Sequence, residues 1–197
     1  MENKQDFLTI NPYSRCGRKL DHVAALIIHW IAAPMQKPAA TRQYWEDRKD
    51  GKNGYGSAHY IIGNNGDVLQ TIPDDEIGYH CGATSPIKEG SAQYYTDEAR
   101  ARWPGYTLDY QHLSPNQITI GIELCHRDWT GELSQETKKS AIELAAVLCK
   151  AHGLDPLRDI MRHQDVVGYK ECPRWFCRHP DDWQLFKNAI KARMGSV

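Results

Sequence analysis

Val23-Ala24-Ala25-Leu26-Ile27-Ile28-His29-Trp30 is apolar at odd and even positions alike until His29 interrupts it. A strand with one solvated face alternates apolar and polar residues, whereas one that is apolar on both sides has to be covered on both. The stretch is therefore expected to be an interior strand of a sheet with other elements packed above and below. It leaves an imidazole stranded at its carboxyl end.

Working outward, Ile118 to Cys125 (ITIGIELC) alternates, with Ile118, Ile120, Ile122 and Leu124 on one face and Thr119, Gly121, Glu123 and Cys125 on the other. Glu123 then points away from the aliphatic face. His59 to Gly63 and Val68 to Ile72 flank Asn64-Asn65-Gly66-Asp67, a hairpin signal because Asn and Gly tolerate the positive φ of a tight turn. Thr41 to Lys49 reads as a short amphipathic helix stopped by Asp50-Gly51. Ser134 can cap a helix from Gln135 to about His152, with Ile142, Ala145, Ala146 and Cys149 as its core stripe and Gly153 as its stop. A short strand, Ile160 to Arg162, delivers His163, and a last helix starts at Asp181 or Asp182 and runs to about Met194. Residues 85–117 carry prolines, glycines, tyrosines and mixed charge without sustained periodicity and read as a long surface excursion that could shape a groove.

The 197 residues, 41% hydrophobic and 25% charged, suit one domain, residues 1–197, with a core over about 20–190. A formal net charge of −1 gives no basic footprint, so neither nucleic acid nor an anionic membrane surface is the expected partner. The first six residues lack the basic and apolar regions of a secretory signal, so synthesis is expected to end in the cytoplasm. The longest apolar stretch, Val23 to Met35, is too short for a membrane anchor. Without an export signal the six cysteines are expected to be reduced thiols, with Cys125 and Cys149 in the core.

The chemistry sits in Arg162-His163-Gln164-Asp165-Val166-Val167-Gly168-Tyr169-Lys170-Glu171-Cys172-Pro173. Neutral imidazole and thiolate are the ligands zinc favours, and a catalytic site takes three of them and leaves a fourth position open. His29, His163 and Cys172 would make such a set. A structural site would want four ligands, commonly with closely paired cysteines, and the chain has no C-x-x-C. In an extended segment Lys170 and Cys172 would share a face, where the ammonium would favour the thiolate and could stabilise an oxyanion. A solvated lysine beside a buried cysteine is the plainer reading of the same spacing.

These blocks, together with Ser57-Ala58-His59-Tyr60, Gly78-Tyr79-His80-Cys81-Gly82 and Ile120-Gly121-Ile122-Glu123, resemble the type 2 N-acetylmuramoyl-L-alanine amidases over about residues 20–190. The resemblance implies an α/β single domain, a central mixed β-sheet flanked by helices with a zinc site in a surface groove. It implies Zn2+ held by His29, His163 and Cys172, a catalytic carboxylate at Glu123 and an assisting Lys170. It sets His80 near the groove, to contact substrate or polarise the carbonyl, with a histidine satisfied by backbone as the alternative. The implied reaction is hydrolysis of the amide between the lactyl group of N-acetylmuramic acid and L-alanine, so the implied partner is peptidoglycan, reached after release from the cytoplasm. Ala58 stands where some relatives carry a catalytic tyrosine, so no tyrosine is assigned. His59 and His126 are expected to be packed residues outside the chemistry. A non-catalytic peptidoglycan-binding module of the same fold is the alternative, and such members typically lack the cysteine ligand. A structural zinc protein is a second, disfavoured by the ligand count.

Overall fold

The computed structural model describes residues 3–82, 95–108 and 113–195. Six strands form one sheet: β1 (Asn3–Gln5), β2 (Ala25–Trp30), β3 (Tyr60–Ile62), β4 (Val68–Gln70), β5 (Thr119–Leu124) and β6 (Ile160–Arg162). Their order is β1-β4-β3-β5-β2-β6, and every pair is parallel except the β3–β4 hairpin. The sheet is thus mixed, and β2 lies inside it between β5 and β6. Its six residues are all buried, as its two-sided apolar sequence requires.

The helices are α1 (Pro38–Glu46), α2 (Asp97–Arg102), α3 (Gln135–His152), α4 (Pro156–Asp159), α5 (His163–Val166), α6 (Arg174–Arg178) and α7 (Pro180–Met194). Helix α3 has the bounds its sequence signals. The Ser134 hydroxyl accepts from the Thr137 amide, and Gly153 closes the helix at φ 66°. Helix α1 begins three residues earlier than its periodicity suggests, because Pro38 takes the first turn, where no amide donor is needed.

One face of the sheet, bearing Leu26, Ile28, Ile120, Ile122 and Leu124, packs against α3 and α7 with Phe176 and Phe186. The opposite face carries two separate apolar clusters. Ala25, Ile27 and Met161 pack with Tyr95, Ala99 and Trp103, while Ile61 and Leu69 pack with Trp45 of α1. At the carboxyl ends of β2 and β5 the same face carries the polar His29 and Glu123 in register. Among the described residues no helix is long and apolar enough to cross a membrane.

Three expectations need correction. Ile118 does not continue the aliphatic face of β5. It follows a 3-10 turn over Pro115–Gln117 with ψ 13°, so the alternation starts one residue later and its side chain joins the opposite cluster. Residues 95–103 are no surface excursion: Tyr95, Ala99 and Trp103 are buried, and Thr96 hydrogen-bonds to the backbone of Asp165 and Val166. The rest of that expectation falls partly on residues 83–94 and 109–112, outside the described residues. Lys170 to Cys172 is not extended, since the Cys172 amide bonds to the Lys170 carbonyl at 2.9 Å in a tight turn.

Candidate metal and catalytic centre

His29 and Glu123 are the penultimate residues of β2 and β5 and stand opposite each other in parallel register on the same face. His163 follows β6 directly as the first residue of α5. Three neighbouring parallel strands thus deliver their side chains at their carboxyl ends, where open α/β sheets bind ligands. The loop after α5 brings Cys172 back, tied by the Gln164 amide to the Cys172 carbonyl at 2.9 Å.

The ligand atoms of His29, His163 and Cys172 lie within 4.8 Å of one another, and all three residues are buried. His29 Nδ1 is 3.0 Å from His163 Nδ1 and 3.8 Å from Cys172 Sγ. Tetrahedral bonds of about 2.0–2.1 Å to nitrogen and 2.3 Å to sulfur would set such edges at roughly 3.3 and 3.5 Å, so the group is close to the size of a zinc site. His163 Nε2 and Glu123 Oε2 are buried without a protein partner. Unpartnered buried polar atoms are uncommon, and two of the seven among the described residues fall in this cluster. The donor set therefore fits a divalent metal.

Burial holds His29 well below the usual imidazole range, and the neighbouring His163, His80 and Lys170 act the same way. Burial likewise lowers His163, reinforced by Lys170 and His80. Both rings are therefore neutral and can offer lone pairs. Cys172 is pushed well above the ordinary thiol value by burial and then by the Glu123 carboxylate. Lys170 does favour the thiolate, as its sequence position suggests, but it is outweighed. A bound cation would reverse that balance. Glu123 is pushed up to about 8 by burial, with Lys170 opposing.

Lys170 forms no ion pair among the described residues. Glu171, the acid next to it, pairs with Arg174 and Arg178 at 3.0 and 2.6 Å. The ammonium is left available to the cluster.

His80 is buried at 9% exposure beside His29, with its Nδ1 3.1 Å from His29 Nε2 and its Nε2 3.2 Å from the Thr119 carbonyl. Its position between His29 and β5 is a contact that sequence spacing does not give. The one available signal is Gly121, a glycine in the middle of an otherwise aliphatic strand, which often marks a close approach. A Cβ there would lie 2.6 Å from His80 Cγ.

His59 and His126 are fully buried. The Gly121 amide donates to His59 Nδ1 at 3.0 Å, and His59 Nε2 faces the Glu76 carbonyl at 2.8 Å. His126 faces the carbonyls of Asp128 and Ile31. Neither ring has a nitrogen left for the cluster. The six cysteines are free, with Cys125 and Cys149 in the core. A cleft of about 450 Å³ between α3 and α7, lined by Ile142, Phe176 and Leu185 among others, lies on the other side of the sheet and shares no residue with the cluster.

Known proteins resemble the chain over nearly its whole length. A probable N-acetylmuramoyl-L-alanine amidase of Bacillus licheniformis is 29% identical over 191 residues, covering 96% of this chain and 47% of that protein. The N-acetylmuramoyl-L-alanine amidase BlyA of Bacillus subtilis (strain 168) is 28% identical over 190 residues, covering 95% and 46%. The chain thus spans about half the length of these curated relatives. Among solved structures, the PlyG catalytic domain superposes with a TM-score of 0.69 at 16% identity, covering 98% of this chain and 96% of that one. The catalytic domain of XlyA gives 0.66 at 21%, covering 96% and 99%. These two likenesses bear on the fold. The family model described as N-acetylmuramoyl-L-alanine amidase (Amidase_2) matches residues 19–175, from before β2 to the start of α6, and the chain belongs to that family.

Proposed function

We propose that this chain is a zinc-dependent amidase that cleaves the bond between the lactyl group of N-acetylmuramic acid and L-alanine in peptidoglycan, and so degrades the cell wall. Family membership supports the bond. The observation that carries the catalytic reading is the convergence of His29, His163 and Cys172 beside a half-buried carboxylate, Glu123, with an unpaired Oε2.

His29, His163 and Cys172 would hold Zn2+. When bound, zinc would supply Lewis acidity there, polarising an amide carbonyl and lowering the pKa of a water toward ~7. Glu123 takes the proton of the attacking water and returns one to the departing L-alanine amine. Burial raises this carboxyl, which suits it to return a proton, and a bound cation would favour the ionised form that accepts one. Lys170, free of ion pairs among the described residues, presents its ammonium to the oxyanion that develops on the carbonyl. Burial of the ligands keeps bulk water out, which strengthens both charge interactions.

The test is digestion of purified peptidoglycan, with mass spectrometry of the soluble products and labelling of new amino termini. Free L-alanine amino termini with intact glycan chains, abolished by a chelator and restored by zinc, are expected. New reducing sugar ends or cross-link cleavage would overturn the bond assignment. Wall binding without release of any product would replace it with the binding-module reading.

A further inference from the structure

The hydrogen bonds around His80 fix where its protons are. The Thr119 hydroxyl donates to the Pro115 carbonyl at 2.7 Å, so its oxygen faces His80 Nε2, 3.3 Å away, only as an acceptor. The Thr119 carbonyl, 3.2 Å from the same nitrogen, is also an acceptor. His80 Nε2 must therefore carry a hydrogen. His80 is buried, and its ring's hydrogen-bond partners among the described residues are His29 and the two Thr119 oxygens, with no carboxylate to hold a second proton. The ring is therefore neutral with one hydrogen, and Nδ1 is a lone pair. His29 Nε2, 3.1 Å from that lone pair, must then be the donor, and this leaves His29 Nδ1 unprotonated. That atom is the one facing His163 Nδ1 and Cys172 Sγ.

We propose that His80 is a positioning residue that selects the Nε2–H tautomer of His29 and so holds the Nδ1 lone pair ready for the metal. The inference rests on the zinc reading above and adds a residue whose action passes through a ligand. Three features keep His80 in place. Its amide and that of Cys81 both donate to Asn116 Oδ1, at 3.0 and 2.8 Å. Gly121 leaves room for its ring over β5. The Thr119 oxygens take its outer hydrogen. Partners of this kind set the orientation and basicity of metal-bound imidazoles, and losing one typically weakens metal binding 10–100-fold.

Two substitutions separate this role from packing. In His80→Asn the side-chain oxygen can occupy about the position of Nδ1 and still accept from His29. In His80→Leu the volume remains and the acceptor is gone. Zinc affinity, read by competition with a chromophoric chelator, is expected to fall about 10–100-fold in His80→Leu and only a few-fold in His80→Asn. Nitrogen-15 NMR of the metal-free wild type is expected to show His29 and His80 both protonated at Nε2. That measurement stands even if His80→Leu fails to fold. A His29 protonated at Nδ1, or equal zinc affinity in folded His80→Leu and wild type, would overturn the assignment. So would a raised KM for peptidoglycan with unchanged zinc affinity, the signature of a direct substrate contact at His80. If the wild type showed the expected tautomers but bound no zinc, the metal reading would fail while tautomer selection by His80 would hold.

Discussion

Glu123 and Lys170 sit side by side in the mechanism but should fail differently. Glu123→Gln removes the proton acceptor while keeping the shape of the strand. It should lower kcat by roughly 10²–10⁴-fold with zinc affinity within a few-fold of wild type. Near wild-type turnover would show that another group moves the proton. Lys170→Met removes a charge that Glu171 does not neutralise. By analogy with other oxyanion donors it should cost on the order of 3 kcal/mol in kcat/KM, about 100-fold, again with the metal retained. A change confined to KM would argue for ground-state binding instead. At this scale much was legible from sequence. His29, His163 and Cys172 are residue types zinc favours, and the family resemblance added Glu123; the structure brings the three together with Glu123 in register opposite His29. The contact between His80 and His29 was not legible, because it depends on two segments meeting over a third, at Gly121.

Elements with a strong period or cap were readable, and those built from tertiary contact were not. Helix α3 carries a cap, a stripe and a stop, and β2 is apolar on both faces, so both follow from local rules. Helices α4, α5 and α6 have four or five residues each, too few for a period to show. The sequence of α2, DEARAR, gives no hint that Ala99 is fully buried; packing on α5 decides that. Strand β5 offers the sharpest test. Gly121→Ala would place a methyl group 2.6 Å from the His80 ring, in a strand hydrogen-bonded on both sides that cannot easily shift. It should destabilise the fold by about 1–3 kcal/mol. Each kcal/mol lowers Tm by about 2–4 °C in calorimetry. A variant melting with the wild type would mean the ring can move aside.

For the whole molecule, the apolar clusters on both faces form without any metal ligand, so the fold should outlast the ion. Chelation is expected to abolish activity and lower Tm through lost binding energy while leaving far-UV circular dichroism native. Collapse of the spectrum would indicate a structural metal. Acid should loosen the region where the end of α2 meets the end of α4. Burial alone would raise the Asp159 carboxyl, but hydrogen bonds from Arg158 and the Asp155 amide, with the Arg102 charge, hold it below the usual carboxylate range. A lowered folded pKa stabilises above the unfolded value of roughly 3.9, and that stability is lost as pH falls through the folded one. Asp159→Asn should therefore melt lower than wild type at pH 7, and the gap should narrow below about pH 4. An equal gap at both pH values would mean the charge is not its source.

The cluster joins residues far apart along the chain, with His29 and Cys172 separated by 143 positions. During synthesis the first ligand leaves the ribosome long before the last is made, and any product cut short before Cys172 lacks a complete metal cage. The proposed chemistry is thereby withheld until His29, His163 and Cys172 have all been translated.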